Sequence, residues 1–509
     1  MPALVRPVLG IDVGTTAVKC LALDPEAGTY MAVRSDPYAL RNREPGWAEE
    51  EPDDWVRAID QAMHRLRAQG VELGHIEALA VSGMVPATIV LDEEGAPLRP
   101  SIQQSDGRTG SELRAIAGSW PLDAIYAATG SALNQQHVLP KLLWIRAHEE
   151  AVWSRIRRVV GSYDYIRSWL TGTYAVEVNW AIESGMYDVR VGRWLDDYLG
   201  AFGVPLEWLP QPAEPLAVAG PLVAAAAARL GLRSGIPVIV GSADHVASAL
   251  AAGVEGTGDL LIKFGGAGDI LYCTERAVFH PKLYFDRHDL PDRYLLNGCM
   301  ATSGSLVRWL LAETGHDEGD LAALDRAACQ VAPGSDGLVV LPYFLGEKTP
   351  LLDPAARGVF FGLMLHHGAA HLFRSVLESV VYGFRHHVDV LEEAGHPIGR
   401  LFSTDGGARS ALWQQIAADA LGRDVVAYPD HPGSALGAAI VAAMGVGRFP
   451  NRPVSEVIAT NREVYHPRDG HHRAYDVGYS LYRDLYERTR PLLAASAELA
   501  EKGRVAHGA

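Results

Sequence analysis

The stretch GIDVGTTAVK, residues 10–19, sets a carboxylate, two hydroxyls and an ammonium around a glycine turn. Asp12 closes an apolar run. Gly14, Thr15 and Thr16 form the turn, where backbone N–H groups are not spent on a strand ladder. Such groups make a concavity suited to an anion, and Lys19 adds a cation. Asp12 suits Mg²⁺, which keeps several waters and takes few carboxylates. The same residues also read as a plain hairpin in which Asp12 and Thr15 only satisfy the turn. A Walker A loop is excluded, because its nearest imitation, GEKT at 346–349, puts Glu347 between glycine and lysine. A dinucleotide fingerprint is excluded too, because a strand rather than a helix follows Gly14.

Two further places carry chemistry. In GSADHVASALAAG, Asp244 follows an apolar strand and precedes a small-residue helix over 246–252. It can cap that helix, or it can take a proton from a substrate hydroxyl as a general base. In TDGGARS, residues 404–410, two glycines between a strand and a helix let a flat ligand lie against the backbone, and a helix N-terminus favours negative charge. KFGGAGDILY at 263–272 repeats the grammar of the first hairpin, with Gly265 and Gly266 at its turn. His367 and His371 stand four apart, but no third ligand or H-E-x-x-H pattern accompanies them, so they read as a polar turn and a helix start. Trp180 reads as core.

The elements that must hold these residues alternate between strand and helix, which favours α/β architecture. Val8 to Val13 and Ala17 to Leu23 read as a hairpin. Trp55, Ala58, Ile59, Ala62, Met63 and Leu66 recur at helical spacing, with Asp53 or Asp54 available as a cap and Gly70 as a stop. Strands follow at 76–81 and 88–91. In the second half, helices are expected over 369–394, after TDGGARS up to Gly422, and in GSALGAAIVAAMGVG up to Gly445. The halves look duplicated, with a cleft between them, and clefts between domains are the usual place for ligands. The division is expected at residue 246, giving domains 1–246 and 247–495 and a frayed tail over 496–509.

The chain has 509 residues, a net charge of −16 and 21% charged residues, which suits a folded protein and argues against a nucleic-acid partner. A small phosphorylated ligand needs only a local positive site and stays allowed. No signal-peptide pattern or 18-residue apolar run is present. The four cysteines show no C-x-x-C pairing and read as buried thiols of a reducing compartment, with the cytoplasm as the default location.

These pieces together resemble the FGGY carbohydrate kinases of the sugar kinase, heat-shock chaperone and actin superfamily. The resemblance spans nearly the whole chain. LGIDVGTTAVKCLALD looks like the family's first phosphate motif, PGWAEEEPDDW (45–55) and SDGRT (105–109) are similar to conserved segments, and LPYFLGEKTPLLDPAARGVFFGL (341–363) with HLFRSVLESVVYGFRH (371–386) is similar to its second signature. DGGARSALWQQIAADALG is similar to its adenosine motif. The resemblance implies two ribonuclease-H-like (actin-like ATPase) domains, with ATP and Mg²⁺ in the cleft and transfer of the γ-phosphoryl to a hydroxyl of a small sugar. It implies Asp12 on magnesium, Thr15, Thr16 and Lys19 at the phosphates, Asp244 as the base, and Gly265, Gly266, Gly304, Gly406, Gly407 and Ala408 along ATP. The implied partners are a sugar and ATP, with room for a homodimer and with no nucleic acid or membrane.

Three departures stand out. The family's second hairpin turns through Gly-Thr, where this chain has Gly265-Gly266; a lost hydroxyl donor weakens ATP binding by about 1 kcal/mol. SGMVPA (82–87) has Pro86 where xylulokinases have histidine, and Gln104 replaces the tryptophan before SDGRT. Met84, Gln104, Asp106 and Asp244 are the candidates to face the sugar, Gln104 and Asp106 reading equally as turn residues. The leading expectation is a kinase for a short ketose such as xylulose or ribulose. The alternatives are a degenerate member that binds without transferring phosphate, and a nucleotide-switched chaperone- or actin-like binding protein.

Overall fold

The computed structural model describes residues 6–458 and 460–507. They form two compact units. The first runs to Glu255 and takes in Glu275–Leu295 and a segment beginning at Pro432; the second comprises Gly256–Thr274, Leu296–His431 and the chain from Thr460.

In the first unit Val8–Val13 pairs antiparallel with Val18–Asp24, and Asp12 falls opposite Lys19. Leu79–Gly83 lies parallel on the other side and brings Ser82 beside Asp12. The sheet order is Thr29–Arg34, Val18–Asp24, Val8–Val13, Leu79–Gly83, Pro237–Ala243 and Val218–Pro221. Apart from its last edge strand this is the ribonuclease-H-like order. Every residue of the first strand is buried, which is why it reads as an almost unbroken apolar run.

Helix Pro52–Ala68 buries all six residues read from the periodicity, Trp55 to Leu66. Its start differs from expectation. Glu51 occupies the cap position without a side-chain bond, and Asp53 and Asp54 lie inside the first turn, where their charge suits the helix dipole. The helix ends at Gln69, and Gly70 follows with φ of 91°.

The expected single division at residue 246 differs from the observed units, because the chain re-enters the first one twice. The small-residue helix Ser434–Gly445 shares a core with Val8, Leu21, Ala78, Ala80 and Ile239. Its fit depends on glycine. A Cβ at Gly10 would stand 2.1 Å from the Ala435 carbonyl oxygen, and one at Gly437 would stand 2.0 Å from that of Ala247. A run of alanines and glycines thus places the start of this helix, Ser434, next to Asp12.

The second unit repeats the frame. Leu260–Phe264 pairs antiparallel with Gly268–Thr274 and parallel with Leu401–Thr404. Val425–Ala427 and Glu463–Tyr465 continue the sheet. Helix Ala369–Glu393 crosses this unit with a continuous buried face from Phe373 to Leu391. The turn GGAR at Gly406–Arg409 leads into helix Ala411–Leu421, which Ser410 caps by accepting the Trp413 N–H and Gly422 closes in a left-handed conformation. The last helix runs His471–His507, so 496–507 are helical where a frayed tail was expected; 508 and 509 lie outside the described residues. No described helix is long and apolar enough to cross a membrane. Cys20 and Cys273 are buried as expected, whereas Cys329 is exposed.

Candidate functional site

In the first unit the parallel and antiparallel neighbours of Asp12 share its face of the sheet. The Ser82 hydroxyl donates to Asp12 Oδ1 at 3.1 Å. Asp12 is 4% exposed, and burial raises its pKa above the usual carboxylate value. Lys19 opposes that rise, Asp244 adds to it, and Ser434 and Ser82 lower it by hydrogen bonding. Two carboxylates drawn together at the end of a buried strand repel each other, and a divalent cation relieves that repulsion. A single buried carboxylate leaves most of the coordination sphere to water, so Asp12 fits Mg²⁺.

The turn after Asp12 faces solvent. Thr15, Thr16 and Lys19 are exposed, and among the described residues the backbone N–H groups of Thr15 and Thr16 have no acceptor. The Tyr38 hydroxyl donates to the Gly14 carbonyl, and Arg34 donates to the Thr16 hydroxyl at 3.1 Å. The loop is therefore held from behind, with its donors outward, as a phosphate cradle requires.

Asp244 reaches this face from another strand end. The pairing of Pro237–Ala243 with Leu79–Gly83 slips between Ile239 and Ser242. Gly241 sits in that irregularity with φ of 95°, its Cβ position only 2.0 Å from the Val81 carbonyl oxygen. A bulge of this kind re-aims the residues that follow. Asp244 becomes the first residue of helix Asp244–Ala251, with Ala243 at the cap position, so the capping role open in the sequence is not the one it takes. Its side chain is 35% exposed, and its Oδ1 accepts the His245 N–H at 2.7 Å.

The sugar-facing candidates part company. Met84 is buried, and its N–H reaches the Val13 carbonyl at 3.4 Å, which keeps it at the Asp12 end of the sheet. Gln104 is half-buried and accepts from Gln136 at 2.8 Å. Lys141 ties this region together by donating to the carbonyls of Pro86 and Gln136; burial lowers its pKa to about 7, against the attraction of Asp106. Asp106 is a correction. It is wholly buried, and its oxygens already accept the Ala48 N–H and three N–H groups of Arg108. The Arg108 guanidinium in turn lies over Trp47 and Trp144, 3.7 and 4.6 Å from the ring centroids. Asp106 anchors that arginine and has no capacity left for a hydroxyl. Trp180 is core, as read, with its indole N–H on the Ala87 carbonyl. His371 caps its own helix and reaches Asp336, and His367 accepts the Met364 N–H, in keeping with a turn and helix start.

The second unit gathers the glycines expected along the nucleotide. The carbonyls of Gly265 and Gly266 accept the N–H groups of Gly304 at 2.8 Å and of Ser303 and Ser305 at 2.9 and 3.1 Å. A Cβ at Gly304 would press on the Gly265 oxygen at 2.8 Å. Asp405 Oδ2 stands 3.0 Å from the Cβ position of Gly265. Gly406 opens on free space, whereas the Cβ position of Gly407 lies 2.6–2.7 Å from Phe264 and Trp413, and Ala408 is buried. Gly406 can thus admit a flat ligand, while Gly407 and Ala408 serve that surface from inside.

Residues not singled out in the sequence also converge beside Asp244. His245 Nε2 lies 3.0 Å from Asp286 Oδ2 and 3.6 Å from Glu183 Oε1. The pair Asp244-His245 is visible in the chain, but nothing in the alternation of Tyr284–Arg287 marks Asp286 as its partner.

Comparison with known proteins accords with this geometry. Residues 7–251 match the N-terminal domain of the FGGY family of carbohydrate kinases, and residues 271–446 match its C-terminal domain. The chain is 30% identical over 497 residues to a xylulose kinase of Staphylococcus epidermidis, covering 96% of this chain and 98% of that one. It is 30% identical over 491 residues to a xylulose kinase of Escherichia coli K12, covering 96% and 100%. A crystal structure of xylulose kinase from Rhodospirillum rubrum superposes with a TM-score of 0.88 at 41% identity, covering 96% of this chain and 100% of that one.

Proposed function

We propose that this chain, which belongs to the FGGY family of carbohydrate kinases, transfers the γ-phosphoryl of ATP to a hydroxyl of a ketopentose, with xylulose the first candidate. The observation that carries the reading is the partly exposed Asp244 carboxylate beside buried Asp12 in the first unit, next to a turn whose N–H groups and hydroxyls point outward. The relatives named xylulose kinase support the choice of sugar.

Phosphoryl transfer asks mainly for positioning and charge neutralisation. Thr15, Thr16 and Lys19 would meet phosphate oxygens of ATP. Asp12 would hold Mg²⁺, which when bound neutralises phosphate charge. Asp244 accepts the proton of the attacking hydroxyl as its oxygen bonds to the γ-phosphorus and ADP leaves. Gly265, Gly266, Gly304 and Gly406 would line the nucleotide, with Gly407 and Ala408 beneath. Met84 and Gln104 stand on the sugar side.

The test is ADP release with Mg²⁺ and ATP over a panel of ketoses, polyols and sugar acids. D-Xylulose is expected to stimulate it, and Asp244→Ala to lower kcat by about 10²- to 10⁴-fold, the usual worth of a general base. If no panel member stimulates ADP release while ATP still binds, the chain is a binding member of its family and the kinase reading fails.

A further inference from the structure

Among the described residues, His245 is the imidazole of a cluster it forms with the carboxylates of Glu183 and Asp286. Its backbone N–H and its ring address the same atom of its neighbour: the N–H donates to Asp244 Oδ1 at 2.7 Å, and ring Nδ1 lies 3.4 Å from it. The opposite ring nitrogen meets Asp286 Oδ2 at 3.0 Å and Glu183 Oε1 at 3.6 Å. The ring is 18% exposed and Asp286 is fully buried. Asp286 has little freedom, because Asn179 spans from helix Val178–Glu183 to the backbone of Arg287, donating to its carbonyl and accepting its N–H. Glu183 ends that same helix. A buried carboxylate on a clamped strand thus holds one edge of the imidazole, and the other edge points at Asp244.

We propose that His245 is a positioning residue for Asp244, its ring braced by Asp286 and Glu183 so that it fixes the orientation of the Asp244 carboxylate and keeps a positive charge beside it. The inference rests on the reading of Asp244 as the base. The charges around His245 agree with it. Burial alone would lower the imidazole pKa, but Asp286, Asp244 and Glu183 outweigh burial and raise it well above its usual value. Asp289, raised by burial to about 7, is the fourth carboxyl to feel this ring. Asp12 also feels the Asp244 charge, with Lys19 as its cation. A cation beside Asp244 favours the ionised form that can accept a proton. A carboxylate turned away from its line of approach costs rate steeply.

The experiment measures kcat, KM for ATP and the pH profile of kcat for wild type, His245→Ala, Asp286→Asn and Asp244→Asn, using the panel sugar that best stimulates ADP release. Thermal melting checks that each variant is folded. His245→Ala is expected to lower kcat by about 10²-fold with KM for ATP within about twofold. The acid limb of its profile should move to higher pH, because Asp244 has lost its neighbouring cation. Asp286→Asn should move the limb the same way by less, since without its buried anion the imidazole next to Asp244 keeps its charge over a narrower pH range. A folded His245→Ala or Asp286→Asn whose acid limb does not move overturns the proposal even if kcat falls, because a merely structural role would lower rate without shifting the limb. Asp244→Asn separates the two readings. If it is inactive while the other two behave as wild type, only the role of His245 falls. If it retains activity, or if no sugar stimulates ADP release, the reading of Asp244 falls and the inference with it.

Discussion

The two hairpins, Val8–Asp24 and Leu260–Thr274, are built alike and charged in reverse. In each, the next-to-last residue of the first strand faces one partner across the hairpin and another on a parallel strand. Asp12 faces Lys19 and Ser82; Lys263 faces Asp269 and Thr404. The turns differ as much. Thr15 and Thr16 present exposed hydroxyls, whereas Gly265 and Gly266 turn their carbonyls onto the N–H groups of Ser303, Gly304 and Ser305. Two residues earlier on the strand, Gly10 lets a helix lie against the sheet where the second unit has buried Leu261. A duplicated backbone frame therefore fixes where a charge stands and leaves its sign to the sequence. One copy offers a carboxylate for a cation and the other a lysine.

The largest expected effect tests this asymmetry of charge. Asp12→Asn should lower kcat by about 10²-fold or more, as loss of a charge-stabilising group does, and should raise the Mg²⁺ concentration needed for half-maximal rate. Lys263→Met should change kcat by less than about tenfold. Equal losses in steady-state assays would show that the two hairpins share the work evenly.

Next comes packing. Gly10→Ala pushes a Cβ to 2.1 Å from the Ala435 carbonyl oxygen, and backbone cannot yield as a side chain can. Overpacking of this kind costs about 1–3 kcal/mol, so denaturant melts should show a lower midpoint. The open turn position Gly266, whose nearest neighbour is the end of Arg308 at 3.4 Å, should accept alanine with no such change.

A smaller effect concerns the missing hydroxyl. Gly266→Thr should lower KM for ATP by about fivefold, the worth of roughly 1 kcal/mol of hydrogen bonding. An unchanged KM would mean that the carbonyl contacts to Ser303 and Ser305 have already fixed this turn for another purpose.

The smallest effect contrasts a buried carboxyl in each unit. Burial raises both Glu50 and Glu347 to about 8. Glu347 Oε1 accepts two backbone N–H groups, from Ala301 and Lys348, whereas among the described residues Glu50 has only the Trp55 indole N–H and leaves Oε1 without a partner. The folded protein therefore holds a proton on Glu50 that the unfolded chain releases between pH 4.5 and about 8. Stability from this group falls as pH rises through that window. Glu50→Gln should remove the slope and raise the melting temperature at pH 8 by about 1–2 °C for each kcal/mol recovered, read by calorimetry at pH 5 and pH 8.

Local pattern carried much of this protein. Alternation and glycine placed both hairpins, the spacing from Trp55 to Leu66 placed its helix, and the proximity of Asp12, Thr15, Thr16 and Lys19 was legible because they lie within one hairpin, where geometry follows from a short turn and its strand register. The family resemblance rested on motifs of the same local kind. Tertiary structure decided the rest. Ser82 meets the backbone of Ser434 across 352 residues of sequence, and Asn179 meets Arg287 across 108. Return of the chain to the first sheet, conversion of Asp106 from a candidate sugar ligand into the anchor of Arg108, and convergence of Glu183 and Asp286 on His245 all depend on which surfaces are buried together. Periodicity along a chain tells which face of an element is apolar, but many partners can cover an apolar face. Only the packed protein, through close approaches such as Gly10 against Ala435, selects one.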